Sequence, residues 1–102
     1  MKAVLHIDSI YGKSRAEVNG ELSIGRTDQA DLRLDDTGLS RVNTTFFIDD
    51  GQLWVADENS TNGTFLNGER IVGPARVLQN GDRIKIGSGT TILVQIGTAE
   101  PV

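Results

Sequence analysis

Five side chains in three separated stretches of this sequence share one chemistry, the capture of an anion. Arg26 stands directly after Gly25, Ser40 and Arg41 are adjacent, and Ser60-Thr61 runs into Asn62-Gly63, whose turn backbone adds N–H donors. A phosphomonoester carries about -1.5 to -2 charges and three acceptor oxygens, so it is held by combining guanidinium groups with hydroxyls and free N–H groups. Each charge-assisted hydrogen bond contributes roughly 1.5 to 3 kcal/mol, and two arginines with two hydroxyls can retain one phosphate. Asp28, Asp31, Asp35 and Asp36 lie in the same loops and would repel that phosphate unless they face away or restrain the arginines.

Other chemistries lack parts. A serine nucleophile needs a base, and the single histidine, His6, sits on the polar side of an N-terminal strand with no carboxylate pattern to orient it. As a metal ligand it has no partner histidine or cysteine, so it reads as a surface residue. The adjacent pairs Asp35-Asp36 and Asp49-Asp50 resemble solvated hairpin corners, and they lack both the opposed geometry of an acid/base couple and the spacing of a calcium loop. Neither a Walker loop nor a dinucleotide fingerprint is present. No catalytic residue, metal site or cofactor is expected, and the chain is read as a binding protein rather than an enzyme.

The elements that must position these groups are short strands. With 102 residues the chain is one domain, large enough for a core without staples, and the absence of cysteine removes disulfides and thiolate chemistry. A formal net charge of -4 argues against a general nucleic-acid binder, so any anion must be held locally. No apolar run has the length needed to span a bilayer, and the N-terminus has no signal-peptide h-region, so no membrane association and a cytoplasmic setting are expected.

Ala3, Leu5 and Ile7 alternate with polar neighbours as one strand face, and Tyr11 to Arg15 reads as a loop. Ala16 to Gly25 reads as two extended pieces in a hairpin at Asn19-Gly20, followed by a strand at Ala30 to Leu34. Asn43 to Ile48 and Gln52 to Ala56 form a hairpin about Asp49-Asp50-Gly51, with Trp54 covering the outer side of the sheet or a sandwich edge. Asn62-Gly63 and Asn67-Gly68 bracket the very short strand Thr64-Phe65-Leu66, and Arg83 to Ile86 and Thr91 to Ile96 close the series. About ten short strands and no helical period predict an all-β fold of two packed antiparallel sheets. Function is then expected in loops at one end of the sandwich.

Four ordered blocks resemble the forkhead-associated (FHA) domain family: Gly25-Arg26, Ser40-Arg41-Val42-Asn43, Ser60-Thr61-Asn62-Gly63-Thr64-Phe65-Leu66-Asn67-Gly68 and Gly81-Asp82-Arg83-Ile84-Lys85-Ile86-Gly87. The resemblance implies an eleven-stranded β-sandwich that reads phosphothreonine in partner proteins through loops at one end. It implies phosphate contacts from Arg26, Ser40 and Thr61, an auxiliary contact from Arg41, and a clamp on the peptide backbone from Asn62. Gly25 and Gly63 would shape the loops. Asn43 departs from the family pattern, which has a histidine there to brace the Ser-Arg loop; asparagine has a donor and an acceptor but is shorter.

The expected layout is a domain over residues 1–97 with a loose tail at 98–102, and the expected state is a monomer. The competing reading is a sandwich of the same architecture that binds a protein partner or a second copy without phosphate, anchored on a sheet face near Trp54.

Overall fold

The computed structural model describes residues 1–97, so the expected tail at 98–102 lies outside the described residues. Eleven strands form two sheets: β1 (Ala3–Ser9), β2 (Gly12–Val18), β3 (Glu21–Gly25), β4 (Leu32–Arg33), β5 (Thr44–Asp49), β6 (Gln52–Asp57), β7 (Thr64–Leu66), β8 (Glu69–Arg70), β9 (Arg76–Val77), β10 (Arg83–Ile86) and β11 (Thr90–Ile96). One sheet has the order β2-β1-β11-β10-β7-β8 and the other β4-β3-β5-β6-β9. Among the described residues, no helix is long and apolar enough to cross a membrane.

The period of two in the sequence becomes the core. Leu5 and Ile7 of β1, Ile84 and Ile86 of β10, and Ile92 and Val94 of β11 meet Ile24, Phe46, Leu53 and Val55 of the facing sheet, all of them buried. Burying one such side chain stabilises the fold by about 1.5 to 3 kcal/mol relative to leaving it in water. Trp54 takes the opposite parity, as expected. Its ring stacks on Phe47 at 6.2 Å between centroids and 6° between planes, and its indole N–H donates to the Asp49 carbonyl at 3.2 Å. Trp54 thus remains half-buried on the outer face of its sheet, stacked beside Phe47.

Two tight hairpins follow from their turn residues. Asp50-Gly51 joins β5 to β6 and Asn67-Gly68 joins β7 to β8, with φ of 52° and 72° in the first and 50° and 89° in the second. Positive φ at both central positions matches the right-handed twist of the flanking strands, which is why these dipeptides occur there.

Elsewhere long-range pairing overrode local signals. Tyr11 to Arg15 is not a loop: β2 starts at Gly12 and runs beside β1, pairing Asp8 with Lys13 and His6 with Arg15. It is polar because it is an edge strand with most of its length in solvent. Asn19-Gly20 does not make a hairpin either, since β2 and β3 belong to different sheets and the turn carries the chain from one layer to the other. The Gly20 carbonyl accepts from the Ile48 N–H at 2.8 Å, which seats that turn against β5. The Ala30 to Leu34 strand shrinks to β4, and it pairs parallel to β3, so the second sheet is mixed rather than wholly antiparallel. His6 lies on the outer face of β1 and shares a 2.7 Å hydrogen bond with Gln95.

Candidate functional site

The three anion-binding stretches converge at one end of the sandwich. A cleft of about 370 Å³ is lined by Arg26, Thr37, Gly38, Leu39, Ser40, Arg41, Thr61 and Asn62. It therefore brings together every expected phosphate contact and the expected backbone clamp, although they lie as far apart in sequence as Arg26 and Asn62.

Backbone contacts fix the base of each side chain. Arg26 leaves the end of β3 with its own N–H donating to the Ser40 carbonyl at 3.0 Å. Gly25 makes this approach possible, because a Cβ there would stand 2.1 Å from the Arg41 carbonyl oxygen, well inside contact distance. The Arg41 carbonyl also accepts from the Thr27 hydroxyl at 3.2 Å. The described ion pairs are Lys2–Glu17, Arg33–Asp35 and Arg76–Glu69, so among the described residues the guanidinium groups of Arg26 and Arg41 have no carboxylate partner.

Ser40 is held by acceptance rather than donation. Its Oγ accepts from the Thr61 N–H at 3.0 Å, which leaves the hydroxyl proton without an acceptor among the described residues. Its own N–H donates to Asn43 Oδ1 at 3.0 Å, and Asn43 Nδ2 donates to Thr44 Oγ1 at 2.9 Å. Thr44 and Thr64 share a 2.8 Å hydroxyl contact, and Thr64 donates onward to Asp57 Oδ1 at 2.7 Å. Because Thr64 gives its proton to Asp57, Thr44 must be the donor to Thr64, and the chain of bonds has a single direction. The fully buried Asn43 thus rebuilds the brace that the family assigns to histidine, using neighbours close enough for its shorter side chain.

Replacing Asn43 by alanine leaves the part-buried Ser40 N–H without its acceptor and removes a donor to the buried Thr44 hydroxyl, which keeps only its bond to Thr64. A loss of about 1 to 3 kcal/mol is expected, readable as a lowered denaturant midpoint at unchanged m-value.

Two expected donors turn out to be engaged internally. The buried Ser60 gives its hydroxyl proton to Asp57 and accepts from the Gly63 N–H at 3.0 Å. Neither the Ser60 hydroxyl nor the Gly63 amide is available to an anion; both shape the loop instead. Gly63 itself sits at φ 90°, a conformation that side chains rarely adopt. Asn62 donates its amide to the Gly38 carbonyl at 2.9 Å, bridging the β6–β7 loop to the β4–β5 loop.

Three of the four aspartates that threatened to repel an anion are engaged elsewhere, while Asp28 stays exposed in the β3–β4 loop. Asp31 accepts from the Ser23 N–H at 2.9 Å, and Asp35 pairs with Arg33 at 3.1 Å. Asp36 is not a solvated corner but a buried carboxylate, 1% exposed. It accepts from the N–H of Gly38 at 2.8 Å, Ser88 at 2.9 Å and Gly89 at 3.0 Å, and from the hydroxyls of Ser88 at 2.7 Å and Thr90 at 2.8 Å. Burial alone pushes such a carboxyl up, but the hydrogen bonds from Ser88, Thr90 and Gly38 outweigh it and hold Asp36 well below the usual carboxylate range. Sequence reading missed this residue because its partners lie more than fifty positions away in the β10–β11 turn.

A model of the FHA domain matches residues 22–87. The chain belongs to the FHA domain family. It is 43% identical over 63 residues to the oxoglutarate dehydrogenase inhibitor of Corynebacterium glutamicum, covering 62% of this chain and 43% of that protein. It is 40% identical over 65 residues to the glycogen accumulation regulator GarA of Mycolicibacterium smegmatis, covering 64% of this chain and 40% of that one. The chain thus spans less than half the length of these curated relatives. A solved FHA domain with phosphothreonine-dependent interactions superposes with a TM-score of 0.83 at 32% identity, each chain covered in full. The FHA assignment accounts for the eleven strands, the two sheets and the clustering of polar loops at one end.

Proposed function

We propose that this FHA domain is a phosphothreonine-peptide binding module that joins partner proteins for phosphorylation-dependent signalling or assembly. The observation that carries the reading is one cleft lined by Arg26, Ser40, Arg41 and Thr61, in which neither guanidinium has a carboxylate partner among the described residues. Arg26, Ser40 and Thr61 hold the phosphate oxygens, with Arg41 as an auxiliary cation. Asn62 holds the backbone of the bound peptide, at the edge where its amide already bridges two loops. Gly25, Asn43 and Gly63 contribute shape: close approach, brace and turn.

Binding rather than turnover fits the lining, which offers arginines, hydroxyls and an amide but neither a carboxylate nor an imidazole to act as general base. The module works as a monomer in the cytoplasm, where kinases supply its ligand. An affinity near the micromolar range, about -8 kcal/mol, is expected. The test is calorimetric titration with one peptide in phosphothreonine, phosphoserine and unmodified forms. Phosphothreonine is expected to bind tightest, with the serine form weaker by about 1 to 3 kcal/mol for the missing methyl contact. Equal affinity for the phosphorylated and unmodified peptides would refute the reading.

A further inference from the structure

The outer face of the six-stranded sheet carries a concentration of positive charge that the phosphate cleft does not use. Register places Lys13 and Arg15 of β2 beside Asp8 and His6 of β1, Leu93 and Thr91 of β11 beside those, and Arg83 and Lys85 of β10 next. Lys85 then pairs with Phe65 of β7 and Phe65 with Arg70 of β8, so all of these side chains share one face. Beside the Lys2–Glu17 pair at 3.7 Å, whose charges cancel, five cations stand there against one carboxylate, Asp8. That is a local excess of four positive charges on a chain whose formal net charge is -4. Among the described residues, none of these five cations is in an ion pair.

The face is also grooved. A hollow of about 400 Å³ includes Phe65, Arg83, Lys85 and Thr91, and a neighbouring one of about 480 Å³ includes His6, Asp8, Lys13 and Leu93. Both hollows are lined by Arg83 and Thr91, so they lie side by side on this face. Thr91 and the 37% exposed Leu93 lie in the middle of the face, and cations of β10 and β2 flank them on either side. Three strand spacings separate those flanks, about 14 Å, which an extended segment of a few residues bridges. At the far end, Arg70 reaches back to the β6–β7 loop, its Nε 2.8 Å from where a Cβ on Gly63 would stand.

We propose that this face is a second docking surface, and that it takes a short acidic segment of a partner protein with one apolar side chain placed over Leu93. Charge complementarity selects the occupant. A long polyanion would extend beyond the patch into the negative remainder of the domain, whereas a short acidic segment stays within it. The assignment is independent of the phosphate cleft.

The whole chain is titrated with an unphosphorylated glutamate-rich peptide carrying one central leucine. Binding is expected, and it weakens as salt rises because the contacts are exposed. The paired substitutions Arg83→Glu with Lys85→Glu, and Lys13→Glu with Arg15→Glu, are each expected to weaken it about tenfold or more. Affinity for the phosphothreonine peptide and the melting temperature stay unchanged, and the milder Arg83→Gln with Lys85→Gln pair guards against misfolding. The proposal fails if the glutamate peptide does not bind, or if it binds wild type and all paired variants alike. It also fails if an oligothymidylate of equal length binds more tightly, or if sedimentation shows that the same face pairs copies of the chain instead.

Discussion

Replacing Arg26 by alanine is expected to weaken phosphothreonine-peptide binding by one to two orders of magnitude while leaving the fold intact. The guanidinium has no carboxylate partner among the described residues, so its removal orphans nothing in the free domain. What disappears is the charge-assisted contact in the complex, about 1.5 to 3 kcal/mol. Arg26 is anchored through its backbone to Ser40, and the substitution keeps that bond, so the loop geometry survives. Titration of the phosphopeptide and a thermal melt of the same sample separate the two effects: affinity falls and the melting temperature holds. Ser40→Ala is expected to cost affinity as well. It also removes the acceptor of the Thr61 N–H, so the two loops that the serine joins loosen relative to one another. An Arg26→Ala variant with wild-type affinity would show that the phosphate lies elsewhere.

Replacing Asp36 by asparagine should produce the largest stability loss, about 3 kcal/mol or more, because five donors converge on a buried carboxylate. An amide offers one oxygen where two were used, and turns its own N–H₂ towards groups that already donate. The same residue gives stability a pH dependence of known sign. Its folded-state carboxyl is held below its unfolded value, so the contribution is complete above the unfolded pKa of about 4 and is lost as pH falls further into the acid range. Chemical denaturation at neutral pH and at successively lower pH should therefore show the wild type losing part of its advantage over Asp36→Asn on the acid side. Parallel curves for the two proteins would mean that the carboxylate charge does not hold the β10–β11 turn to the β4–β5 loop. Because Asp36 binds the Gly38 amide and Asn62 binds the Gly38 carbonyl, the variant is also expected to blur the cleft wall.

The cleft is thus a set of loops pinned from behind by buried polar groups. Asp57 collects Thr64 and Ser60, Asn43 collects Ser40 and Thr44, and Asp36 collects the β10–β11 turn. No buried side-chain nitrogen or oxygen among the described residues lacks a partner. Pinning of this kind leaves the exposed arginines as the groups free to adapt, while the Ser40 hydroxyl is held in place beforehand by the Thr61 N–H.

Features written within a few neighbouring residues were determined by the sequence itself. Asp50-Gly51 and Asn67-Gly68 dictate their turns because few other dipeptides accept positive φ twice. The alternation in Arg83 to Ile86 dictates a strand with Ile84 and Ile86 inward, since no other conformation buries both and solvates their neighbours. The order of the blocks at Gly25-Arg26, Ser40-Arg41, Ser60 to Gly68 and Gly81 to Gly87 announced the FHA family, which the match over residues 22–87 bears out. Tertiary structure alone decided which hydroxyls stay available: Ser40 keeps a free proton, whereas Ser60 gives its own to Asp57. It likewise decided that Asn19-Gly20 crosses between layers and that Asp36 is buried while Asp35 stays in water. The reason is common to all three. A hydrogen bond or a layer assignment depends on a partner brought close only by packing, and for Asp36 that partner, Ser88, is 52 residues away along the chain.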